Sequence, residues 1–190
     1  MSMPAPIRST VVDVDLDAIA ANHDVLRRRA AAEVIAVVKA DAYGHGVEAV
    51  SVALVEAGAA MLAVVTVEEA LAIRAAGIRA PVLVLVGAAD VAEAEAAVAA
   101  DCAMVVWDEA GARLVDEAAA RRGFRASVHF KVDTGLTRLG APLEDAVARF
   151  HRVRERRHLS VEGIFTHLAT ADEPDVANDH AQIERFQSVL

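Results

Sequence analysis

A lysine stands at the end of an apolar run in the segment AVVKADAYGHG, residues 36–46, where a tyrosine and two glycines follow it. A lysine amine can form a Schiff base with an aldehyde cofactor. Gly44 and Gly46 permit close backbone approach and lead into a predicted helix whose free amides can bind an anion, and the hydroxyl of Tyr43 can reach the same anion. An amine beside a phosphate site suits a Schiff-base cofactor, and Lys39 is the candidate amine.

Six short apolar runs predict the strands that would carry such a lysine. These runs are EVIAVVKA, MLAVVTV, PVLVLVG, CAMVVW, ASVHFKVD and VEGIFTHL. Their apolar residues are consecutive, as in parallel strands that are buried on both faces, and a segment with helical spacing of apolar residues follows each run. Helix signals agree, because Thr66 and Glu69 form a capping box and Gly58, Gly77 and Gly123 suit helix ends.

The alternation of strands and helices favours an α/β fold of the (β/α)₈ TIM-barrel type over a doubly wound sheet, because no glycine-rich dinucleotide fingerprint is present. In such barrels the active site lies at the carboxyl ends of the strands, which is where Lys39 would lie. About six βα units fit the sequence, so the barrel is predicted to be incomplete here. A complete open α/β domain is the alternative.

Both ends of the chain bear on its domain organisation. The stretch TVVDVDL predicts a further strand with one solvated face, followed by the helix DAIAANHDVLRRRAA. We therefore divide the chain into an N-terminal strand segment, residues 1–15, and a partial barrel, residues 16–190. At the other end Ile183, Phe186 and Leu190 form one apolar helical face without a stop signal, so we expect the front part of a longer protein.

Composition excludes several classes of partner. The chain is 55% hydrophobic with a net charge of −9, which argues against disorder and against nucleic acid, since an acidic surface repels phosphates. No apolar run approaches the roughly 20 residues of a membrane span, and no signal peptide is recognisable. We expect a cytoplasmic protein without a membrane partner. The segment ADEPDVANDH has the irregular spacing of a loop and helix start, so no metal site is predicted.

The segment AVVKADAYGHG resembles the pyridoxal-phosphate attachment motif of bacterial alanine racemases, a family with an N-terminal (β/α)₈ barrel and a C-terminal β domain. VVDVDLDAIAANHDVLR resembles the opening of that family, FKVDTGLTRLG its middle motif and GIFTHLATAD the segment at its sixth strand. The resemblance implies an isomerase that interconverts L- and D-alanine for peptidoglycan precursors. It also implies pyridoxal 5'-phosphate as cofactor, alanine as substrate and a homodimer in the complete protein, with residues 1–15 packing against the C-terminal β domain.

The resemblance also implies a role for each matching side chain. Lys39 is the lysine that binds the cofactor covalently and acts as the base on one face of the substrate α-carbon. Tyr43 contacts the cofactor phosphate, and His167 packs beside the pyridine ring. Arg138 bonds the phenolic oxygen of the cofactor and helps to hold the substrate carboxylate. Lys131 matches a lysine that is often carbamylated, which turns repulsion between two neighbouring cations into attraction.

Other readings of the chain and of these residues stay open at this point. The family places a tyrosine of the partner subunit on the second face of the substrate, and Tyr43 is the only tyrosine here. We therefore expect this chain alone to lack racemase activity. A pyridoxal-phosphate-binding module without turnover is one alternative, and a related barrel enzyme acting on another small amino acid, such as serine, is the other. Taken singly, Lys131 could be an exposed lysine, Arg138 a helix cap and His167 a core histidine.

Overall fold

The computed structural model describes residues 10–190 as a parallel sheet whose strands alternate with helices. The strands are β1 (Ile35–Val37), β2 (Met61–Val64), β3 (Val82–Val84), β4 (Ala103–Val106), β5 (Ala126–Asp133), β6 (Ala141–Pro142) and β7 (Leu159–Phe165). The helices are α1 (Leu16–Ala30), α2 (Lys39–Gly44), α3 (Val47–Glu56), α4 (Val67–Ala75), α5 (Val91–Ala99), α6 (Glu109–Arg122), α7 (Leu143–Arg154) and α8 (Ala177–Gln187). Across this described range, every helix is too short or too polar to span a bilayer.

The order of the strands in the sheet confirms the predicted barrel-type fold. Strands β1 to β5 lie side by side in sequence order, and β7 pairs with the free edge of β5. The two-residue strand β6, which was not predicted, pairs with the end of β5. All of these pairs are parallel. The carboxyl ends of the strands therefore lie on one rim, where barrels of this type build their sites.

Apolar side chains pack on both faces of this sheet. Leu62 and Val64 of β2 are completely buried in the larger core, between the strands and the helices. Ala63 between them belongs to a second cluster with Leu83 and Val105, inside the curve of the sheet. Successive residues of a strand point to opposite faces, so consecutive apolar residues are needed when both faces are covered. The six continuous runs in the sequence have this origin.

Local sequence sets the ends of several helices as predicted. The hydroxyl of Thr66 accepts from the backbone amide of Glu69, whose carboxylate accepts from the backbone of Thr66, so the predicted capping box at α4 is confirmed. Gly123 ends α6 in a left-handed conformation with φ of 75°. Gly58 and Gly77 follow α3 and α4 with φ of 90° and 82°. Glycine adopts such angles without steric cost, which explains why each helix ends within two residues of its glycine.

The described part of the segment TVVDVDL does not form a strand within this chain. Residues 10–15 have no regular secondary structure, and Leu16 already begins α1. A strand needs a paired neighbour for its backbone groups, and no strand of residues 10–190 lies beside this segment. Val11 and Val12 are accordingly exposed. The rest of the predicted segment 1–15, residues 1–9, lies outside the described residues.

The buried face of α8 also differs from the prediction. Ile183 and Leu190 are exposed, and only Phe186 of the three predicted apolar residues packs against the core. Gln182 is completely buried instead, and Asp179 is nearly so. Polar contacts with the loops that follow β5 and β7 determine this orientation, as the geometry of the site explains.

Candidate active site

A cavity of about 540 Å³ opens at the carboxyl rim of the sheet. Five predicted site residues line it, namely Lys39, Tyr43, Lys131, Arg138 and His167. Lys39 follows β1, Lys131 belongs to β5, and His167 follows β7. The structure thus brings together side chains that are up to 128 positions apart in the sequence. Apolar side chains complete the wall, namely Ile35, Val37, Val65, Leu83, Leu85, Val86, Leu139 and Phe165.

The two lysines of the cavity are the only lysines in the sequence. All other strongly basic side chains of this chain are arginines. A lysine can lose its proton and act as a nucleophile or base, whereas a guanidinium stays protonated. The chain therefore carries its only amine side chains at one place. This signal is visible in the sequence alone.

The cavity concentrates positive charge. Lys131 is only 5% exposed, and its Nζ lies 5.7 Å from the centroid of the Phe165 ring. Burial lowers the pKa of Lys131, the nearby Arg138 guanidinium lowers it further, and Asp133 opposes both effects. Within residues 10–190, Lys39, Lys131 and Arg138 form no ion pair with a carboxylate. Such an arrangement favours an anionic ligand.

The environment of His167 keeps its imidazole neutral near pH 7. Burial lowers the pKa of His167, and the positive charges of Lys131, Arg138 and Lys39 lower it further. A neutral imidazole presents a flat ring to the cavity without adding a fourth positive charge.

The short segment α2 is a left-handed turn and not a right-handed helix, with Lys39 and Tyr43 near its two ends. Ala40, Asp41, Ala42 and Tyr43 have φ between 51° and 56° and ψ between 36° and 52°. For residues other than glycine this conformation costs roughly 1–2 kcal/mol each. The turn places Nζ of Lys39 5.7 Å from the centroid of the Tyr43 ring, so the amine and the phenol face the same cavity.

Two side chains hold the turn from opposite ends. Oε1 of Glu69 accepts a hydrogen bond from the backbone N–H of Ala40 at 2.6 Å. Nδ1 of His45 lies 2.9 Å from the carbonyl oxygen of Ala42 and 3.1 Å from that of Tyr43. His45 therefore stabilises the end of the turn. The hydrogen bond from Ala40 to Glu69 was not predicted, because the capping box accounts for Glu69 without a second partner.

The start of α3 is already capped by a carboxylate. Oδ1 of Asp41 accepts from the backbone N–H of Val47 at 2.7 Å, so one of the amides at this helix start already has a partner within the chain. Gly44 and Gly46 have φ of 81° and 88°, and no atom lies within 4 Å of a Cβ built on either residue. These glycines therefore allow the positive φ angles of the turn, and no protein atom approaches them closely.

The loop that carries Arg138 is organised by Asp133 at the end of β5. Oδ1 of Asp133 accepts from the backbone N–H groups of Gly135 at 2.9 Å and Thr137 at 3.0 Å. Gly140 has φ of 139°, and a Cβ on it would lie 2.7 Å from the backbone nitrogen of Asp133. The tight loop requires glycine there, and it returns Arg138 to the rim of the cavity.

Gln182 of α8 connects two loops of the site, and sequence reasoning missed it. Its Nε2 donates to Oγ1 of Thr134 at 3.0 Å and to the carbonyl oxygen of His167 at 3.2 Å. Its Oε1 accepts from the backbone N–H of Ala169 at 2.8 Å. The loops also meet directly, since the hydroxyls of Thr134 and Thr166 lie 2.7 Å apart. No periodic pattern marks a glutamine as the buried residue of an amphipathic helix.

His129 is a further residue of the cavity wall that the sequence analysis missed. It precedes Lys131 by two positions in β5, and alternation along a strand places both side chains on one face. Burial lowers the pKa of His129, and Glu162 opposes this effect. A Cβ on Gly163 of the neighbouring β7 would lie 2.7 Å from Nδ1 of His129, so glycine leaves room for the ring.

The fold and the site together define a (β/α)-barrel portion with a cationic, lysine-containing cavity at the carboxyl ends of its strands. Comparison with known proteins identifies the family. The family model described as "Alanine racemase, N-terminal domain" matches residues 14–190, so the chain belongs to this family.

Individual relatives agree with this assignment. The chain is 43% identical over 187 residues to alanine racemase of Symbiobacterium thermophilum, covering 97% of this chain and 49% of that protein. It is similar to the solved structure of alanine racemase from Streptomyces coelicolor A3(2), with a TM-score of 0.84, 37% identity and coverage of 93% and 48%. It is also similar to histidine racemase from Leuconostoc mesenteroides subsp. sake, with a TM-score of 0.87, 31% identity and coverage of 97% and 50%. The chain spans about half the length of the curated relatives it matches.

Proposed function

We propose that the protein carrying this chain is a pyridoxal-phosphate-dependent alanine racemase, which interconverts L- and D-alanine for peptidoglycan precursors in the cytoplasm. This chain would supply the barrel portion that binds the cofactor. The observation that carries the proposal is that Lys39, Tyr43, Lys131, Arg138 and His167, matched to the family by motif, line one cavity.

The residues of the cavity fit pyridoxal phosphate, which combines an aldehyde, an anionic phosphate and a flat ring. The amine of Lys39 would hold the aldehyde covalently, and the Tyr43 hydroxyl would donate to the phosphate. The three cations of the cavity form no ion pair with a carboxylate of residues 10–190, so an anionic ligand would relieve their mutual repulsion. When bound, this cofactor acidifies the α-proton of an amino acid by withdrawing electrons through its ring.

Two side chains of the cavity would then act on the substrate. Lys39 would take the α-proton on one face, a role that its place in the cavity wall supports. Arg138 would donate charge-assisted hydrogen bonds to the substrate carboxylate. The neutral His167 would lie against the ring without competing for the negative charge.

Lys131 would serve by orienting Arg138. Burial and the charge of Arg138 lower the pKa of Lys131, which raises the share of free amine at a given pH. The free amine is the form that adds carbon dioxide: its nitrogen bonds to the carbon and one proton is released to solvent, so the resulting carbamate is an anion. Carbamylation of Lys131 is therefore part of the proposal, because it would replace repulsion of Arg138 by attraction.

Racemisation also needs a proton donor on the opposite face of the substrate. Tyr43 is the only tyrosine in the sequence and is assigned here to the phosphate. We propose that the second base comes from a partner subunit, as the family resemblance implies, and that the protein acts as a homodimer.

The attachment of the cofactor is tested by reduction with borohydride in the presence of pyridoxal phosphate, followed by peptide mass spectrometry of the full-length protein. Only two lysines of this chain can carry the label, and we expect it on Lys39. The matched variants are Lys39→Arg, which should lose the label from this chain, and Lys131→Arg, which should keep it on Lys39. A label on Lys131 alone, or one that persists in Lys39→Arg, contradicts the assignment.

A racemase for another amino acid is the second candidate, because the barrel portion also matches a histidine racemase with a TM-score of 0.87. Exchange of the α-proton for deuterium, followed together with optical rotation, distinguishes the candidates when alanine, serine and histidine are compared. Preference for alanine supports the first candidate. Preference for another amino acid supports the second, and cofactor binding without exchange indicates a binding module.

A further inference from the structure

The left-handed turn after Lys39 needs an external anchor at its first residue. Four consecutive residues other than glycine in this conformation persist only where the surroundings determine the backbone. Ala40 is the first of these residues, and its backbone N–H donates to the Glu69 carboxylate at 2.6 Å. Glu69 lies 29 positions further along the chain, so this contact joins two separate βα units.

The Glu69 carboxylate is shared between two strand ends. Oε1 accepts from Ala40, which follows β1, while Oε2 accepts from the N–H groups of Val65 at 2.8 Å and Thr66 at 3.2 Å, which follow β2. Burial raises the pKa of Glu69, but the three backbone donors, with the charge of Lys39, outweigh burial and lower the pKa. The carboxylate is therefore ionised at neutral pH, with donors at both of its oxygens.

We propose that Glu69 is a positioning residue for Lys39. By fixing the peptide that directly follows Lys39, the carboxylate sets the start of the left-handed turn and with it the places of the Lys39 amine and the Tyr43 phenol at the cavity. The role of these two groups in binding the cofactor rests on the proposed function, whereas the anchoring of the turn does not.

A second glutamate in the same helical position shows that capping a helix does not require a hydrogen bond to a distant segment, such as the one from Ala40 to Glu69. Glu93 is the third residue of α5, as Glu69 is of α4, and its Oε2 accepts from Ala89 in the loop before its own helix at 2.9 Å. Glu69 makes the equivalent local contacts and in addition reaches Ala40. The additional contact distinguishes a residue that organises the site from one that only caps a helix.

The test variant is Glu69→Gln in the full-length protein. Glutamine has the same shape but only one accepting oxygen, and that oxygen carries no charge. Whichever way the amide is turned, the Ala40 N–H therefore loses its hydrogen bond or keeps only a weaker one to a neutral acceptor. Thr66→Ala is the first control, because it weakens the same cap and leaves the carboxylate. Glu93→Gln is the second control, because it makes the same chemical change on the next helix.

Two measurements show how Glu69→Gln affects the turn and the Lys39 amine. The first is hydrogen exchange of the Ala40 amide, compared with amides of β2, and it needs no cofactor. The second is the rate at which pyridoxal phosphate and borohydride label Lys39. In Glu69→Gln we expect the protection of the Ala40 amide and the labelling rate each to fall by about tenfold or more, since hydrogen bonds to a charged acceptor are the strong ones. In both controls we expect these two quantities to change by less than about twofold, because the Glu69 carboxylate still accepts from Ala40; the lost cap in Thr66→Ala should lower only the overall stability.

The results distinguish the anchoring of the turn by Glu69 from the proposed binding of the cofactor by Lys39. Unchanged protection of the Ala40 amide in Glu69→Gln overturns the proposal, and so does an equal loss in all three variants, which would indicate general destabilisation. Loss of Ala40 protection with normal labelling of Lys39 also overturns it, because the turn would then not position the amine. If Lys39 is not labelled even in the unsubstituted protein, the proposed function fails, and the exchange of Ala40 still decides whether Glu69 anchors the turn.

Discussion

The side-chain amide of Gln182 donates a hydrogen bond of 3.2 Å to the backbone carbonyl of His167. The same amide donates to Thr134, so one buried side chain of α8 connects the loop after β5 with the loop after β7. These loops carry Arg138 and His167, two of the residues that line the cavity. The relative position of these two site residues therefore depends on a helix that contributes no side chain to the cavity wall.

Replacing Gln182 should destabilise the protein. Gln182→Ala removes the hydrogen bonds to Thr134, His167 and Ala169 from a completely buried side chain, and each such bond contributes about 0.5–1.5 kcal/mol. The free energy of unfolding in denaturant measures the effect. Gln187→Ala at the exposed end of the same helix is the control and should change stability by less than about 0.5 kcal/mol. Equal effects of both variants would show that Gln182 has no special role.

The charge of Arg138 should control the titration of Lys131. Because the guanidinium lowers the pKa of Lys131, Arg138→Gln should raise that pKa toward its ordinary value, although burial still holds it down. NMR of lysine labelled with carbon-13 follows the titration, and Lys39→Arg assigns the signals of the two lysines in this chain. The medium is kept free of carbon dioxide so that no carbamate forms.

Arg113→Gln is the matched control for this titration. Arg113 pairs with Glu117 on the exposed face of α6, so its removal should leave the pKa of Lys131 unchanged. A pKa of Lys131 that falls in Arg138→Gln, or that rises equally in both variants, contradicts the electrostatic account of the cavity.

The parts of the fold that were predicted correctly depend on local sequence. The six main strands follow from continuous apolar runs, and the start of α4 follows from Thr66 and Glu69. The position of Lys39, Lys131 and His167 on one rim follows from parallel strands, whose carboxyl ends coincide. Arg138 was placed by its motif, and the loop anchored on Asp133 explains why it returns to the same rim.

The parts that were missed depend on contacts between distant segments. No residue type among Ala40, Asp41, Ala42 and Tyr43 marks a left-handed turn, because the anchor at Glu69 lies 29 positions away from Ala40. The same holds for α8, where the apolar pattern predicted the wrong buried face. Residues 10–15 form no strand within this chain for a related reason, since alternation indicates a strand but does not supply a pairing neighbour.

Glu69 should also contribute to the dependence of stability on pH. Its pKa is lower in the folded protein than its ordinary value of 4.5, so the ionised carboxylate contributes stability that is fully present above that value. The contribution is lost as the pH falls through the lower, folded pKa. The difference in unfolding free energy between the unsubstituted protein and Glu69→Gln should therefore be constant at neutral pH and shrink in acid. Denaturant unfolding at a series of pH values measures it, and a difference that grows in acid would contradict the sign of the pKa shift.

Gly163 should be needed for the place of the His129 ring inside the curve of the sheet. A Cβ at this position would lie 2.7 Å from Nδ1 and 3.0 Å from Cε1 of His129, so Gly163→Ala should displace the ring and destabilise the protein by about 1–3 kcal/mol. His129→Ala removes the ring, and in that background Gly163→Ala should cost much less. The coupling between the two substitutions should then be about 0.5–3 kcal/mol in the unfolding free energy.

Gly111→Ala in α6, where the nearest atom lies at 3.4 Å, is the control and should not destabilise the protein. Additive effects of Gly163→Ala and His129→Ala would show that the glycine serves another neighbour.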